Sequence, residues 1–275
     1  MIRLDAATVL LQWATGGLLF LWVTTRRREV GIGFGWLLRA TYGLMAVGAA
    51  VAGELSGAAV AVATGVALAV SVARRRAGVA GERAREQRRS GRVAAMTGID
   101  RDVRVRDSEA PEFPPALDLV APAVGAVGLV AAGFHAGGPE ALAVARTLVG
   151  AAFLGVVSDA MLLGHWYLVQ PGLGRGALHE LNTWLARVWP VEVGLLLWPT
   201  GMLSVLSGSI DDGWNGMLGW FWVACAVATL VLALVTRAAL KERAYAAVMA
   251  ATGLLYLAIL TAFGTDLVAR ALLAG

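Results

Sequence analysis

Eight apolar segments dominate the chain, near residues 5 to 25, 31 to 53, 55 to 73, 117 to 136, 142 to 169, 177 to 206, 214 to 236 and 243 to 270. A helix needs about 20 largely apolar residues to cross a hydrocarbon layer of ~30 Å, because each residue rises only ~1.5 Å. Each segment meets that length. The composition agrees, with 58% hydrophobic and 15% charged residues where a soluble domain carries roughly 45 to 50% and about 25%. A cleaved secretory leader would show one short apolar region followed by a water-soluble remainder, whereas here the apolar segments continue to the C-terminus. The expected fold class is therefore all-α, a polytopic integral membrane helical bundle of eight transmembrane helices forming a single domain over residues 1 to 275.

The positions of the arginines orient the bundle, since excess Lys and Arg mark cytoplasmic loops. Arg26, Arg27 and Arg28 follow the first segment. Arg74, Arg75 and Arg76 follow the third, continued by Arg83, Arg85, Arg88, Arg89 and Arg92. Arg237, Lys241 and Arg243 follow the seventh, whose preceding loop holds Asp211 and Asp212 without a positive charge. Basic loops at every second connection predict both termini on the extracytoplasmic side. The net charge of +4 and pI near 9.8 are thus explained by topology and give no reason to expect nucleic acid. Arginine outnumbers lysine 22 to 1 and Ala, Gly and Val abound, a usage that points to a GC-rich bacterial genome and hence to a bacterial inner membrane.

Residues 74 to 116 form the one long polar stretch, a cytoplasmic basic loop with 11 Arg and seven acidic residues that closes on Pro111, Pro114 and Pro115. Within it, residues 79 to 93 suit a basic helix lying on anionic membrane lipid or docking a soluble partner, other subunits of a membrane complex being the partners expected of the chain as a whole; a solvated loop that only enforces topology fits as well. Gly31, Gly33 and Gly35 echo a dinucleotide-binding loop, but no strand precedes them, so they read as glycines opening a helix. The lone Cys225 sits in an apolar run, which excludes an intrachain disulfide and a cysteine metal cluster. Zinc-protease, nucleophile-elbow, Walker and haem-attachment motifs are missing.

Ionisable side chains cost roughly 2.5 to 3.5 kcal/mol at bilayer depth and tend to face the bundle interior with a partner, so they rank the segments. The third and seventh have none and are expected to be packing or lipid-facing elements. The fifth carries Asp159, His165, Trp166 and Tyr167; the sixth carries His179, Glu180, Asn182, Thr183, Trp184, Arg187 and Glu192. A short turn with Pro171, Gly172, Gly174 and Gly176 makes these two an antiparallel hairpin with both histidines near its cytoplasmic end. His179, Thr183 and Arg187 are spaced i, i+4, i+8 and share one stripe. Pro190 and Pro199 are expected to kink the sixth segment. Asp266 and Arg270, one turn apart, are expected to pair.

Three chemistries fit this hairpin. In the first, a membrane subunit of a redox complex holds a quinone: His165 or His179 bonds a carbonyl, Tyr167 or Asp159 handles the proton, and Trp166 packs on the ring with Arg187 nearby. In the second, His165 and His179 ligate a b-type haem or another metal. Haem between adjacent helices requires them to splay, and His135 lies at the opposite end of its segment. Three histidines also cannot build two bis-histidine haems. In the third, Asp159, Arg187, Glu192 and Arg39 line the path of a small proton-coupled transporter, with Arg39 neutralising Asp159 or Glu192. Against these stands a membrane anchor or scaffold, in which Asp159 pairs with an arginine and Trp166, Tyr167, Trp184 and Trp189 are interfacial aromatics.

Overall fold

A computed structural model describes residues 4–97, 111–170, 172–198, 201–242 and 244–274. The arginines at 101, 104 and 106, together with Pro171, Pro199 and Arg243, lie outside the described residues. Among the described residues the chain is all-helical, with ten α helices, one 3-10 turn and no strand.

Helix α1 (Ala6–Thr25) is opened by Asp5, whose carboxylate accepts from the Thr8 amide at 2.8 Å and the Thr8 hydroxyl at 2.9 Å. This cap satisfies one of the amides that a helix start leaves without a partner. Gly31 precedes α2 (Ile32–Val51), and α3 (Ser56–Ala73) returns beside it. The polar helix α4 (Ala80–Thr97) follows, so the basic stretch does form a helix over its first part. A 3-10 turn (Pro115–Leu119) leads into α5 (Val120–Phe134), which is succeeded by α6 (Glu140–Val169), α7 (Gly176–Leu197), the short α8 (Met202–Leu206), α9 (Met217–Ala239) and α10 (Tyr245–Leu273).

Seven of these are long and apolar enough to cross a membrane: α1, α2, α3, the 3-10 turn with α5, α6, α9 and α10. The segment expected at 177 to 206 departs from that pattern. It is divided into α7 and α8, and α7, although 22 residues long and unbroken at Pro190, carries His179, Glu180, Arg187 and Glu192. Its polarity, not its length, sets it apart from the seven.

Small residues determine what sits at the centre. Two thirds of α1 (67%) is buried, against 28% of α3, so α1 is central and α3 peripheral. Alongside α1, α6 runs parallel, in contact from Gln12 against Thr147 to Gly16 against Ala151 and Gly155. A Cβ at Gly16 would fall on the Ala151 carbonyl, and one at Gly155 on the Gly16 backbone. The two backbones therefore meet directly, the close approach that small residues allow between membrane helices. The Tyr42 ring of α2 fills the space left by the missing side chain of Gly17.

The α6 and α7 hairpin is tied at both ends. At one end the Tyr167 hydroxyl donates to the Gly174 carbonyl at 2.7 Å; at the other Arg146 Nε donates to the Leu195 carbonyl at 2.8 Å. Twenty-one residues separate Arg146 from Tyr167 on α6 and nineteen separate Gly176 from Leu195 on α7, about 32 and about 29 Å at ~1.5 Å per residue. α7 thus travels nearly the same length of the bundle as α6. The basic connections gather at one face, here the arginine end, where Arg27 pairs with Glu180 at 2.8 Å and Arg175 donates to the Ala244 carbonyl at 2.9 Å. On the flanks Leu44, Val51, Leu55, Val62, Trp220 and Leu260 are exposed, an apolar surface that water would not tolerate and lipid would. α3 and α9, the helices expected to be plain packing elements, both contribute to it.

Candidate functional site

Three groups of buried ionisable or polar side chains lie at successive depths along α1, marked by Gln12, Gly17 and Thr25. The separations are about 7.5 and about 12 Å at ~1.5 Å per residue.

The first group lies toward the end opposite the arginines. Gln12 donates to the Thr147 carbonyl at 2.6 Å. Arg270 holds Asp266 through two bonds, Nε to Oδ2 at 2.6 Å and Nη2 to Oδ1 at 2.9 Å, as their spacing of one turn predicts. Gly150 leaves the room in which Gln12, Asp266 and Arg270 converge. Glu192 of α7 lies within electrostatic reach of Asp266, Arg270 and Arg146. All of these side chains are buried, so two carboxylates and two guanidinium groups share one enclosed site. Both oxygens of Glu192, Oε1 of Gln12 and Nη2 of Arg146 have no hydrogen-bond partner.

The second group is Asp159 with Tyr42. The tyrosine hydroxyl of α2 donates to Asp159 Oδ1 across the Gly17 gap, while Asp159 Oδ2 has no partner. Asp159 is fully buried and Tyr42 nearly so. Close by, Trp13 Nε1 donates to Ser158 Oγ at 2.8 Å and Ser158 donates to the Leu154 carbonyl at 2.7 Å.

The third group is Arg39 with Asp118. The guanidinium makes a bidentate contact, Nε to Oδ1 at 2.8 Å and Nη2 to Oδ2 at 2.7 Å, and the Thr25 hydroxyl of α1 adds a bond of 3.1 Å to Oδ2. Phe113 covers the guanidinium at 4.4 Å and Ser71 lies 3.4 Å from Nη1. The expectation that Arg39 neutralises Asp159 or Glu192 is corrected by this geometry. Side chains lean toward the N-terminus of their helix, so Arg39 reaches back to the arginine end and Asp118, whereas Asp159 sits one turn deeper at the level of Tyr42.

The hairpin residues do not gather into one pocket. His165 is exposed on the seam between α6 and α10 and lies 3.2 Å from the Tyr256 hydroxyl. Trp166 donates to Gln170 Oε1 at 3.0 Å, and the same oxygen accepts from the Gly31 amide at 2.9 Å. Together with its contact on Phe34, at 5.7 Å between ring centres, this fastens the start of α2. Tyr167 is buried and committed to the hairpin turn, its carbonyl also accepting from Tyr245 at 3.2 Å. His179, Thr183 and Arg187 do share the expected stripe, which faces Arg26 and Arg27 across the α1 and α7 seam. The two histidines therefore face different seams, and the residues proposed to hold a quinone or haem together are divided among five surroundings, with Asp159 beside Tyr42 the fifth.

Sequence reasoning missed Tyr42, Gln12, Arg146 and Asp118, and left Asp266 and Arg270 without a role. Arg146 and Gln12 were legible as polar residues inside apolar segments. Tyr42 carried no such signal, because an aromatic residue in a membrane helix is commonplace. Among the described residues no group of three or more His, Cys, Asp or Glu stands ready for a metal ion. Comparison of the chain with family models, with curated proteins and with solved structures returns no match.

Proposed function

We propose that this chain is a small proton-coupled membrane carrier in which the buried groups along α1 are successive stations for the proton. The observation that carries the reading is the placing of two buried carboxylates without a bidentate cation of their own: Asp159 Oδ1 accepts from the neutral Tyr42 hydroxyl and Glu192 lies against a second carboxylate, Asp266, although Arg39 and Asp118 nearby satisfy one another. A bundle held only by structural ion pairs would give each buried carboxylate its own cation, since a charge at depth is costly unless paired. Glu192 beside Asp266 can hold one proton between two carboxylates, and Asp159 beside the Tyr42 hydroxyl can accept it midway. Internal water or helix movement carries it between stations. Arg187, exposed at the arginine end, is left outside this path, and Asp266, Arg270 and Arg146 enter it.

The topology that this function requires follows from the hairpin. α7 runs the length of α6, which supports eight crossings with the arginine end cytoplasmic and both termini outside, in a bacterial inner membrane. The test is proton entry into proteoliposomes under an imposed potential, read by a trapped pH dye across a panel of amino acids, sugars, organic acids and inorganic cations. Wild-type protein is expected to admit protons with at least one of these, and Asp159→Asn and Glu192→Gln to cut that rate by about tenfold or more, as for a lost proton-transfer group. No proton entry with any solute overturns the reading.

One observation favours a second reading, a quinone at the exposed His165 and Tyr256 pair. There a ring carbonyl arriving from the bilayer would meet two hydrogen-bonding groups 3.2 Å apart. His165→Ala would then release quinone that copurifies with the wild type; no quinone in the wild type removes this reading. A b-type haem has less support, because His165 and His179 face different seams, and a spectrum of the dithionite-reduced protein tests it directly.

A further inference from the structure

At the arginine end, the seam between α1 and α7 opens into a groove of 480 Å³ lined by Arg26, Arg27, His179, Glu180, Thr183 and Arg187. Its charge is unbalanced. Arg26 and Arg27 share the single carboxylate of Glu180, while Arg187 lies over the Trp184 ring at 5.7 Å and makes no ion pair among the described residues. Gly176 lines the same groove and begins α7, whose first turn has no side-chain cap. Helix-start amides carry a partial positive charge and bind anions. Three guanidinium groups and an uncapped helix start, on different elements, thus converge on one open space.

The level of the groove indicates which anion fills it. The apolar run of α1 ends at Thr25, immediately before Arg26 and Arg27. Trp22 lies under Arg26 at 5.0 Å, and Trp184 is exposed beside the groove, as amphipathic rings do at headgroup depth. Arg187 starts deeper on α7, and its side chain leans toward the helix start over Trp184, which brings the guanidinium into the same groove as Arg26 and Arg27. We propose that the groove binds the phosphate of an anionic phospholipid headgroup in the leaflet at the arginine end. Phosphate oxygens accept from Arg27 and Arg187 in the planar geometry that guanidinium groups provide. A zwitterionic headgroup brings the same phosphate with a cation beside it, which offsets part of the attraction, and is bound less tightly.

Native mass spectrometry of the full chain, delipidated in nonionic detergent, tests this by titration with phosphatidylglycerol, phosphatidylcholine and inorganic phosphate. Phosphatidylglycerol is expected to bind at about tenfold lower concentration than phosphatidylcholine. Arg27→Gln with Arg187→Gln is expected to weaken it about thirtyfold, equivalent to about 1 kcal/mol for each arginine near a membrane surface. Equal binding of the two lipids, or a double variant that binds like the wild type, overturns the proposal. Inorganic phosphate that binds as tightly as the lipid and displaces it overturns the lipid assignment in favour of a free anion. Should the double variant fail to fold, photoactivatable phosphatidylglycerol on the wild type is expected to label residues 176 to 187 and the end of α1, and labelling confined elsewhere overturns the site.

Discussion

Arg39 and Asp118 are 3% and 2% exposed and leave no charge without a hydrogen-bonding partner, so their contribution is set by a balance of two large terms. Removing both charges from water costs several kcal/mol per ion, and their bidentate contact with the added Thr25 bond offsets it. Removing one partner strands the other. Arg39→Gln or Asp118→Asn is therefore expected to destabilise the fold by about 3 to 5 kcal/mol, whereas Arg39→Met with Asp118→Leu recovers most of that loss. Thermal unfolding in detergent, followed by the fluorescence of the ten tryptophans, gives the cycle; a double variant as unstable as either single one would show the pair to be net stabilising. Asp159 and Glu192 contrast with this pair. Asp159 accepts from a neutral hydroxyl and Glu192 lies against a second carboxylate, so neither has a bidentate cation of its own. The residue types and approximate depths of these groups were legible in the sequence, but their partners were not. Asp118 lay just inside the apolar segment that starts at 117 and drew no assignment, and Tyr42 was one aromatic residue among many. Which helix faces which depends on where Gly16, Gly17 and Gly155 let backbones approach, and no spacing along one segment encodes that.

Helix ends are set by a few groups whose effect is separable from packing. α9 follows a tight turn in which Asn215 and Gly216 both adopt positive φ, 60° and 85°, and Asp212 organises it. Its carboxylate accepts from the amides of Trp214 at 2.9 Å, Gly216 at 2.8 Å, Leu218 at 2.9 Å and Gly219 at 3.3 Å. The Gly216 amide chiefly, with those of Trp214, Gly219 and Leu218, holds this carboxyl below the usual aspartate range against a counteracting desolvation. A group whose folded pKa is depressed stabilises fully above its unfolded value, about 4, and loses that contribution as pH falls through the folded value. Asp212→Ala is accordingly expected to lower the melting temperature at neutral pH, with the gap to wild type closing as pH drops below about 4. A gap of the same size at pH 3 would assign the effect to turn packing rather than to the carboxylate. Seven elements matched their apolar segments within a few residues because a bilayer-length run leaves a helix little alternative. The sixth segment misled, since 177 to 206 merged α7 with α8: the apolar residues Leu195, Leu196 and Leu197 continue across the helix end into Met202 and Leu203. Hydropathy reports burial in lipid or protein alike and does not register such a break.

At the scale of the whole molecule everything turns on whether α7 crosses. Its composition argues against a crossing, since His179, Glu180, Arg187 and Glu192 exceed what an isolated apolar helix carries, but a helix in a bundle is not isolated. Glu180 is held at the arginine end by Arg26 and Arg27. Arg187 leans to that same end, and Glu192 is enclosed by Arg146 and Arg270 at the other. Each charge thus either lies toward the arginine end or is enclosed among opposite charges inside the bundle, the two conditions under which membrane helices tolerate ionisable groups. With α7 crossing, the loop from residue 201 to 216 and the C-terminus share the face opposite the arginines. Without it, that loop would lie on the arginine side, although Arg146 already ties the end of α7 to the far end of α6. Single cysteines placed in a Cys225→Ser background discriminate the two. Ser209→Cys and Ala274→Cys, both at exposed positions, are expected to react with an impermeant maleimide in intact cells. Gly91→Cys on α4, where the glycine has open space around it, is expected to react only after permeabilisation. Protection of both Ser209→Cys and Ala274→Cys in intact cells, with Gly91→Cys also labelled only after permeabilisation, would leave α7 on one side of the membrane, because α9 and α10 together return the chain to the side it started from; Glu192 could then not be a station on a path from one face to the other.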